Sequence, residues 1–130
     1  MKVVLQESSE NYLETILILS RQNSLVRSVD IANELDFTRP SVSVAMKKLR
    51  ENGLVEVDSY GYISLTQEGL KIAESMYERH VLISNWLISL GVDETVAKDD
   101  ACRMEHVISE QSFLTIKNHV EGFKQADVVN

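Results

Sequence analysis

The sequence predicts a mostly α-helical fold in which an N-terminal winged helix-turn-helix is followed by an all-helical domain. Three observations carry that expectation. Between Ser8 and Asn52 the apolar residues recur at helical spacing in three segments, the last two separated by only a short turn. Two short β-type runs then flank a turn that contains glycine. From Thr66 onward the apolar spacing is helical again, with a stop at Gly91. The expected division is residues 1–68 for the winged helix and 69–130 for the helical domain.

Each element has its own local reason. In the first helix Tyr12, Leu13, Ile16, Leu17 and Leu19 form an apolar side, and Glu10, Asn11 and Glu14 are expected on the polar side. The second helix covers Val29–Leu35, with Ser28 as the expected N-cap and an end near Asp36. Thr38 precedes Arg39 and Pro40, and proline fits the first turn of a helix because its missing N–H has no partner there anyway. The third helix should therefore run to Asn52 and stop at Gly53. Val42, Ala45, Met46 and Leu49 give it a buried stripe, leaving Arg39, Ser43, Lys47 and Arg50 outward. Leu54–Val57 and Tyr62–Leu65 read as strands joined by Asp58-Ser59-Tyr60-Gly61, a wing. A long helix from Thr66 to Gly91 follows, then one capped by Asp93, then one around Phe113–Val120.

The bulk numbers narrow the class. The chain has 130 residues, 44% hydrophobic and 25% charged, as an ordinary globular protein does. No apolar run reaches the ~18 residues of a membrane span, and no signal-peptide pattern opens the chain, so the expected compartment is the cytoplasm. The single cysteine, Cys102, excludes an intrachain disulfide; composition alone favours a buried small hydrophobe over a reactive thiol or a metal ligand. The net charge of −7 argues against nucleic acid at first sight. It is unevenly spread: residues 1–20 carry −2, residues 21–50 carry +3 and residues 51–130 carry −8. Arg39, Lys47, Lys48 and Arg50 form a basic island with no acidic residue between positions 37 and 50.

A helix, a turn, a basic second helix and a hairpin is the order of a DNA-binding winged helix. There the second helix of the motif enters the major groove, whose width admits a helix with its side chains. The candidate contact set is Arg27, Ser28, Thr38, Arg39, Pro40, Ser41, Ser43, Val44, Lys47, Lys48 and Tyr60. Thr38, Arg39, Ser41 and Ser43 are placed to reach bases and phosphates, while Arg27, Lys47, Lys48 and Arg50 suit the backbone and Tyr60 the wing tip. The plain alternative is a solvated helix face, or a winged helix that binds protein.

A second constellation is Cys102, Glu105 and His106, at i, i+3 and i+4 on one side of a helix. Thiolate, carboxylate and imidazole together can hold a first-row divalent ion, though an acidic residue beside a histidine is common in so acidic a chain. His80, Asn11 and Glu14 are further possible ligands.

At these residues the chain resembles the diphtheria toxin repressor and manganese transport repressor family of bacterial metalloregulators. The likeness is carried by Asp30-Ile31-Ala32, Arg39-Pro40-Ser41-Val42-Ser43, Glu51-Asn52-Gly53-Leu54-Val55, Leu65-Thr66-Gln67-Glu68-Gly69, Arg79-His80 and the run from Ala101 to Ser109. The resemblance implies a helical dimerisation domain at 69–130, a homodimer on a palindromic double-stranded DNA operator, and Mn(II) or Fe(II) as the activating ion. It also implies the ligand set Asn11, Glu14, His80, Cys102, Glu105 and His106, with Cys102 as in the iron-type repressors and Glu14 as in the manganese type. Ser84 and Lys98 occupy positions where iron-type members carry a Glu and a His, so that second iron-type site is expected to be missing. Ligands drawn from both domains would tie metal binding to the geometry of the DNA-binding part.

The implied function is a metal-dependent transcriptional regulator, a repressor of metal-homeostasis genes. The rival is a winged-helix regulator of an organic ligand, with Tyr77 and Trp86 lining its pocket. No G-x-x-x-x-G-K-[ST], H-E-x-x-H or G-x-S-x-G motif points to an enzyme.

Overall fold

A computed structural model describes residues 7–129, with side chains placed for residues 8–122. The outer ends of the two expected domains, residues 1–6 and 130, lie outside the described residues. The chain forms two compact units, Met1–Met76 and Tyr77–Asn130. Its elements are α1 (Glu7–Asn23), α2 (Ser28–Leu35), α3 (Arg39–Glu51), β1 (Val55–Val57), β2 (Ile63–Leu65), α4 (Gln67–Ser89), α5 (Glu94–Val107) and α6 (Glu110–Val129). The helix α4 supplies residues to both units.

The first unit has one continuous apolar core. It is built from Tyr12, Leu13, Ile16 and Leu17 of α1, Ile31 of α2, Val42, Met46 and Leu49 of α3, Val55 and Ile63 of the wing, and Ala73 of α4. The apolar spacing read in α1 and α3 is the face that is buried. The other side of α1 departs from expectation, because Glu14 and Thr15 are buried and Asn11 is half-buried. A carboxylate out of water is costly unless something holds it.

Local signals explain the element ends. Asp36 leaves α2 in a left-handed conformation (φ 57°) and its N–H returns to the Ala32 carbonyl. At the start of α2, Arg27 is the N-cap and Ser28 the first helical residue, which corrects the expectation for Ser28. The reason is Asp30, whose Oδ2 reaches back to accept the Arg27 N–H (2.9 Å). Thr38 caps α3 by accepting the Ser41 N–H (3.3 Å), and Pro40 sits in the first turn.

The wing is a two-stranded antiparallel sheet in which Val55 faces Leu65, Glu56 faces Ser64 and Val57 faces Ile63. Its turn is stapled by Asp58 Oδ1, which accepts the N–H groups of Tyr60 and Tyr62 (2.9 Å each), and by Gly61 at φ 85°. Ile63 also donates its N–H to the Val26 carbonyl (2.7 Å), an added bridge that ties the loop before α2 to the hairpin. Thr66 joins the wing to α4: its hydroxyl donates to the Gly53 carbonyl (2.7 Å) and accepts the Gly69 N–H (3.1 Å). A Cβ on Gly69 would collide with the Leu54 carbonyl, so this position admits only glycine.

In the second unit Asp93 caps α5 as expected, accepting the N–H groups of Thr95 and Val96. The last helix starts at Glu110 and runs longer than the Phe113–Val120 pattern suggests. Among the described residues of this unit, Ile83 of α4, Ala97 and Ala101 of α5 and Phe113 of α6 are buried and apolar.

Candidate nucleic-acid interface and metal site

On α3 the outward face is continuous and polar except at its centre. Thr38, Arg39, Pro40, Ser41, Ser43, Val44, Lys47, Lys48 and Arg50 are all exposed, whereas Val42, Met46 and Leu49 are buried. Among the described residues none of Arg39, Lys47, Lys48 and Arg50 forms an ion pair, so the positive potential of this face is not cancelled at short range. The Thr38 hydroxyl also donates to Ser41 Oγ (2.8 Å), which holds both hydroxyls at the N-terminal end of the helix.

The wing and the start of α2 each contribute an exposed group. Tyr60 stands 77% exposed at the turn. Arg27 lies with its guanidinium carbon 4.5 Å from the centre of the Tyr62 ring and donates from Nη2 to the Tyr62 hydroxyl (3.1 Å). Tyr62 is thus a partner that sequence reasoning did not single out. Ser28 is half-buried at the start of α2.

The second site lies within the second unit, at the junction of α4 and the last turns of α5. Cys102, Glu105 and His106 bring a sulfur, a carboxylate oxygen and a ring nitrogen within 4.8 Å of one another, as the i, i+3, i+4 spacing requires. Glu105 has no solvent exposure; one of its oxygens is 3.1 Å from His80 Nδ1 and the other 3.2 Å from His106 Nε2. A carboxylate sequestered between two imidazoles beside a thiol is a donor set of oxygen, nitrogen and sulfur that fits a divalent first-row ion. Cys102 is exposed, which corrects the burial expected from composition, although it shares its side of α5 with the buried Glu105.

Arg79, next to His80, was read only as part of a motif. Its Nη1 donates to the carbonyls of Glu105 (3.1 Å) and Ile108 (2.8 Å), and its guanidinium lies 5.2 Å from the centre of the Phe113 ring. These are the carbonyls at the end of α5, which have no helical partner of their own. Arg79 therefore caps from outside the helix that carries Glu105 and His106. Its signal in sequence was its position one residue before a candidate ligand.

The remaining candidates stand as follows. Asn11 and Glu14 lie one turn apart on α1 in the first unit. Ser84 is buried and donates to the Val81 carbonyl (3.4 Å), and Lys98 is paired with Glu94 (2.8 Å) on an exposed part of α5. Tyr77 and Trp86 line an open groove of the second unit, with Glu78 and Lys117 paired at 2.7 Å among its walls.

The chain is similar to known proteins along most of its length. Residues 4–63 match the family model described as the iron-dependent repressor N-terminal DNA-binding domain. Residues 66–127 match that described as the iron-dependent repressor metal-binding and dimerisation domain. The transcriptional regulator MntR of Escherichia coli is 37% identical over 107 residues, 82% of this chain and 69% of that protein. An uncharacterised helix-turn-helix regulator of Methanocaldococcus jannaschii is 31% identical across 92% of this chain and 98% of its own. The solved structure of the manganese regulator SloR superposes with a TM-score of 0.78 at 28% identity over 87% of this chain. The chain spans about half, 53%, of that structure's length. None of the three is described as sensing an organic ligand.

Proposed function

The chain belongs to the iron-dependent repressor family, and from that premise we propose that it represses metal-ion homeostasis genes, binding its operator when loaded with Mn(II) or Fe(II). The observation that carries this reading is the buried Glu105 carboxylate between His80 and His106, with the Cys102 thiol beside it. His80, Cys102, Glu105 and His106 would hold the ion. Asn11 and Glu14 complete the proposed ligand set on the strength of the family resemblance, and the burial of Glu14 supports its inclusion.

When bound, the ion supplies positive charge where a carboxylate and a thiolate converge. The protein's part is to keep these donors aimed: Arg79 fixes the end of α5, and His80 holds one Glu105 oxygen. Oxygen donors suit Mn(II), whereas the thiolate favours Fe(II), Co(II) or Zn(II).

The DNA-binding residues proposed are Arg27, Ser28, Thr38, Arg39, Pro40, Ser41, Ser43, Val44, Lys47, Lys48 and Tyr60, supported by the exposure of the α3 face and of Tyr60. The functional division is proposed at residues 68 and 69. A homodimer would present two α3 helices to a palindrome, with half-sites about one helical turn, ~34 Å, apart. Exposed Val81, Ile88, Leu90, Val96 and Leu114 give the second unit apolar surface for a partner copy. The chain is proposed to work in the cytoplasm and not as an enzyme; its relatives are transcriptional regulators, and among the described residues no helix is long and apolar enough to cross a membrane.

The test is fluorescence anisotropy of labelled duplex titrated separately with Mn(II), Fe(II) and Zn(II), for the wild type and Cys102→Ala. Activation by Mn(II) or Fe(II) is expected. A response to Zn(II) alone would overturn the assignment of the ion.

A further inference from the structure

The outward face of α3 has an apolar centre that neither packing nor charge explains. At about 100° per residue, Val44 points opposite the buried stripe of Val42, Met46 and Leu49, and it is 70% exposed. It is the one large hydrophobic residue left exposed on this helix. Its helical neighbours are Pro40 at i−4, Ser41 at i−3, Lys47 at i+3 and Lys48 at i+4, all exposed. A β-branched residue is a mediocre helix former, and here it is mostly exposed. The apolar pair Pro40 and Val44 thus forms a short ridge framed by hydroxyls and lysines, on the face that the proposed function aims at DNA.

We propose that Val44 is a specificity-determining residue that reads the 5-methyl group of a thymine in the major groove. The inference rests on the DNA-binding reading above and adds the kind of base that this chain selects. In the major groove a thymine offers a methyl group, the one apolar feature among the four bases, while guanine, cytosine and adenine offer donors and acceptors. Val44 has no hydrogen-bonding group beyond its backbone. Against a guanine, a cytosine amino group or the adenine edge it strips water from polar atoms and returns nothing. Against a thymine methyl both surfaces are apolar, and contact removes them from water together. Lys47 and Lys48, one on each side, are free to meet phosphates, and Ser41 and Ser43 to meet polar edges. A T·A pair is therefore required in each half-site at the position Val44 covers, and a G·C pair there should weaken binding by about 5–150-fold.

The test begins with duplexes selected from a random-sequence pool by the full chain loaded with Mn(II) or Fe(II), with a chelated control. Each thymine of the selected site is then replaced singly by uracil, which differs only in lacking the methyl group. One thymine per half-site should lose about fourfold in affinity on this change, the effect of one buried methyl-sized group. In Val44→Ala, whose fold should be intact because the side chain is exposed, the same change should have little effect. Uracil tolerated at every position by the wild type, or equal sensitivity in Val44→Ala, overturns the inference while leaving DNA binding in place. Failure of the loaded chain to enrich any duplex over the chelated control overturns the DNA-binding reading itself, and the role of Val44 with it.

Discussion

Glu105 concentrates the chemistry of the second unit in one side chain. Its carboxylate is fully buried between two imidazoles, so removing its charge changes the site far more than a surface substitution would. In Glu105→Gln, Mn(II) affinity measured by calorimetry should fall by more than the about 10–100-fold typical of losing an outer-shell partner. Arg79 acts on the same helix through backbone. Arg79→Met leaves the carbonyls of Glu105 and Ile108 without their donor, and urea denaturation should show a loss of about 1.5–3 kcal/mol. How legible these residues were differs for a physical reason. The triplet Cys102, Glu105 and His106 is a local pattern on one helix face and could be read directly. The contact of His80 with Glu105 spans 25 positions and depends on how α4 meets α5, so only the family resemblance suggested it. The exposure of Cys102 is not legible in composition, which reports how often cysteines are buried and not where this one sits.

At the scale of elements, the turn chemistry that ends each helix decided how well it could be read. Asp93 is a strong capping type before an apolar periodic run and caps as expected, and Thr38, expected only to precede the first turn, caps α3 as well. Ser28 is as good a capping type, yet the cap falls one residue earlier because Asp30 reaches the Arg27 N–H. Such back-reach competes with the simple cap and leaves little trace in composition. The bridge between Val26 and Ile63 could not be read at all: Leu25-Val26 is too short an apolar run to mark a strand, and the partner is far away in the chain. Gly69 makes the clearest prediction at this scale. Its Cα faces the Leu54 carbonyl with no room for a side chain, so Gly69→Ala must push α4 away from the wing. A loss of about 1–3 kcal/mol in thermal or urea unfolding is expected, as for overpacking; an unchanged midpoint would contradict the tight contact.

The whole molecule sets a small basic surface against an acidic background. Residues 21–50 carry +3 in a chain of net charge −7, so attraction to DNA is confined to one face and should be strongly screened by salt. Operator affinity should fall steeply with salt concentration, and Lys47→Ala and Lys48→Ala should each reduce the log–log slope by about 1 if each neutralises one phosphate. The electrostatic part of that attraction is blind to sequence; in the proposed function, regulation comes from coupling this surface to the ion. Coupling is reciprocal, so an ion that strengthens operator binding is itself bound more tightly by the operator complex, by the same factor. The most direct measurement is operator affinity, by anisotropy, with saturating Mn(II) or Fe(II) and with chelator, for the wild type and for Glu105→Gln. Loading should tighten wild-type binding by about 5–150-fold and leave Glu105→Gln nearly unchanged. Equal wild-type affinity with chelator and with saturating ion would contradict metal control of this protein.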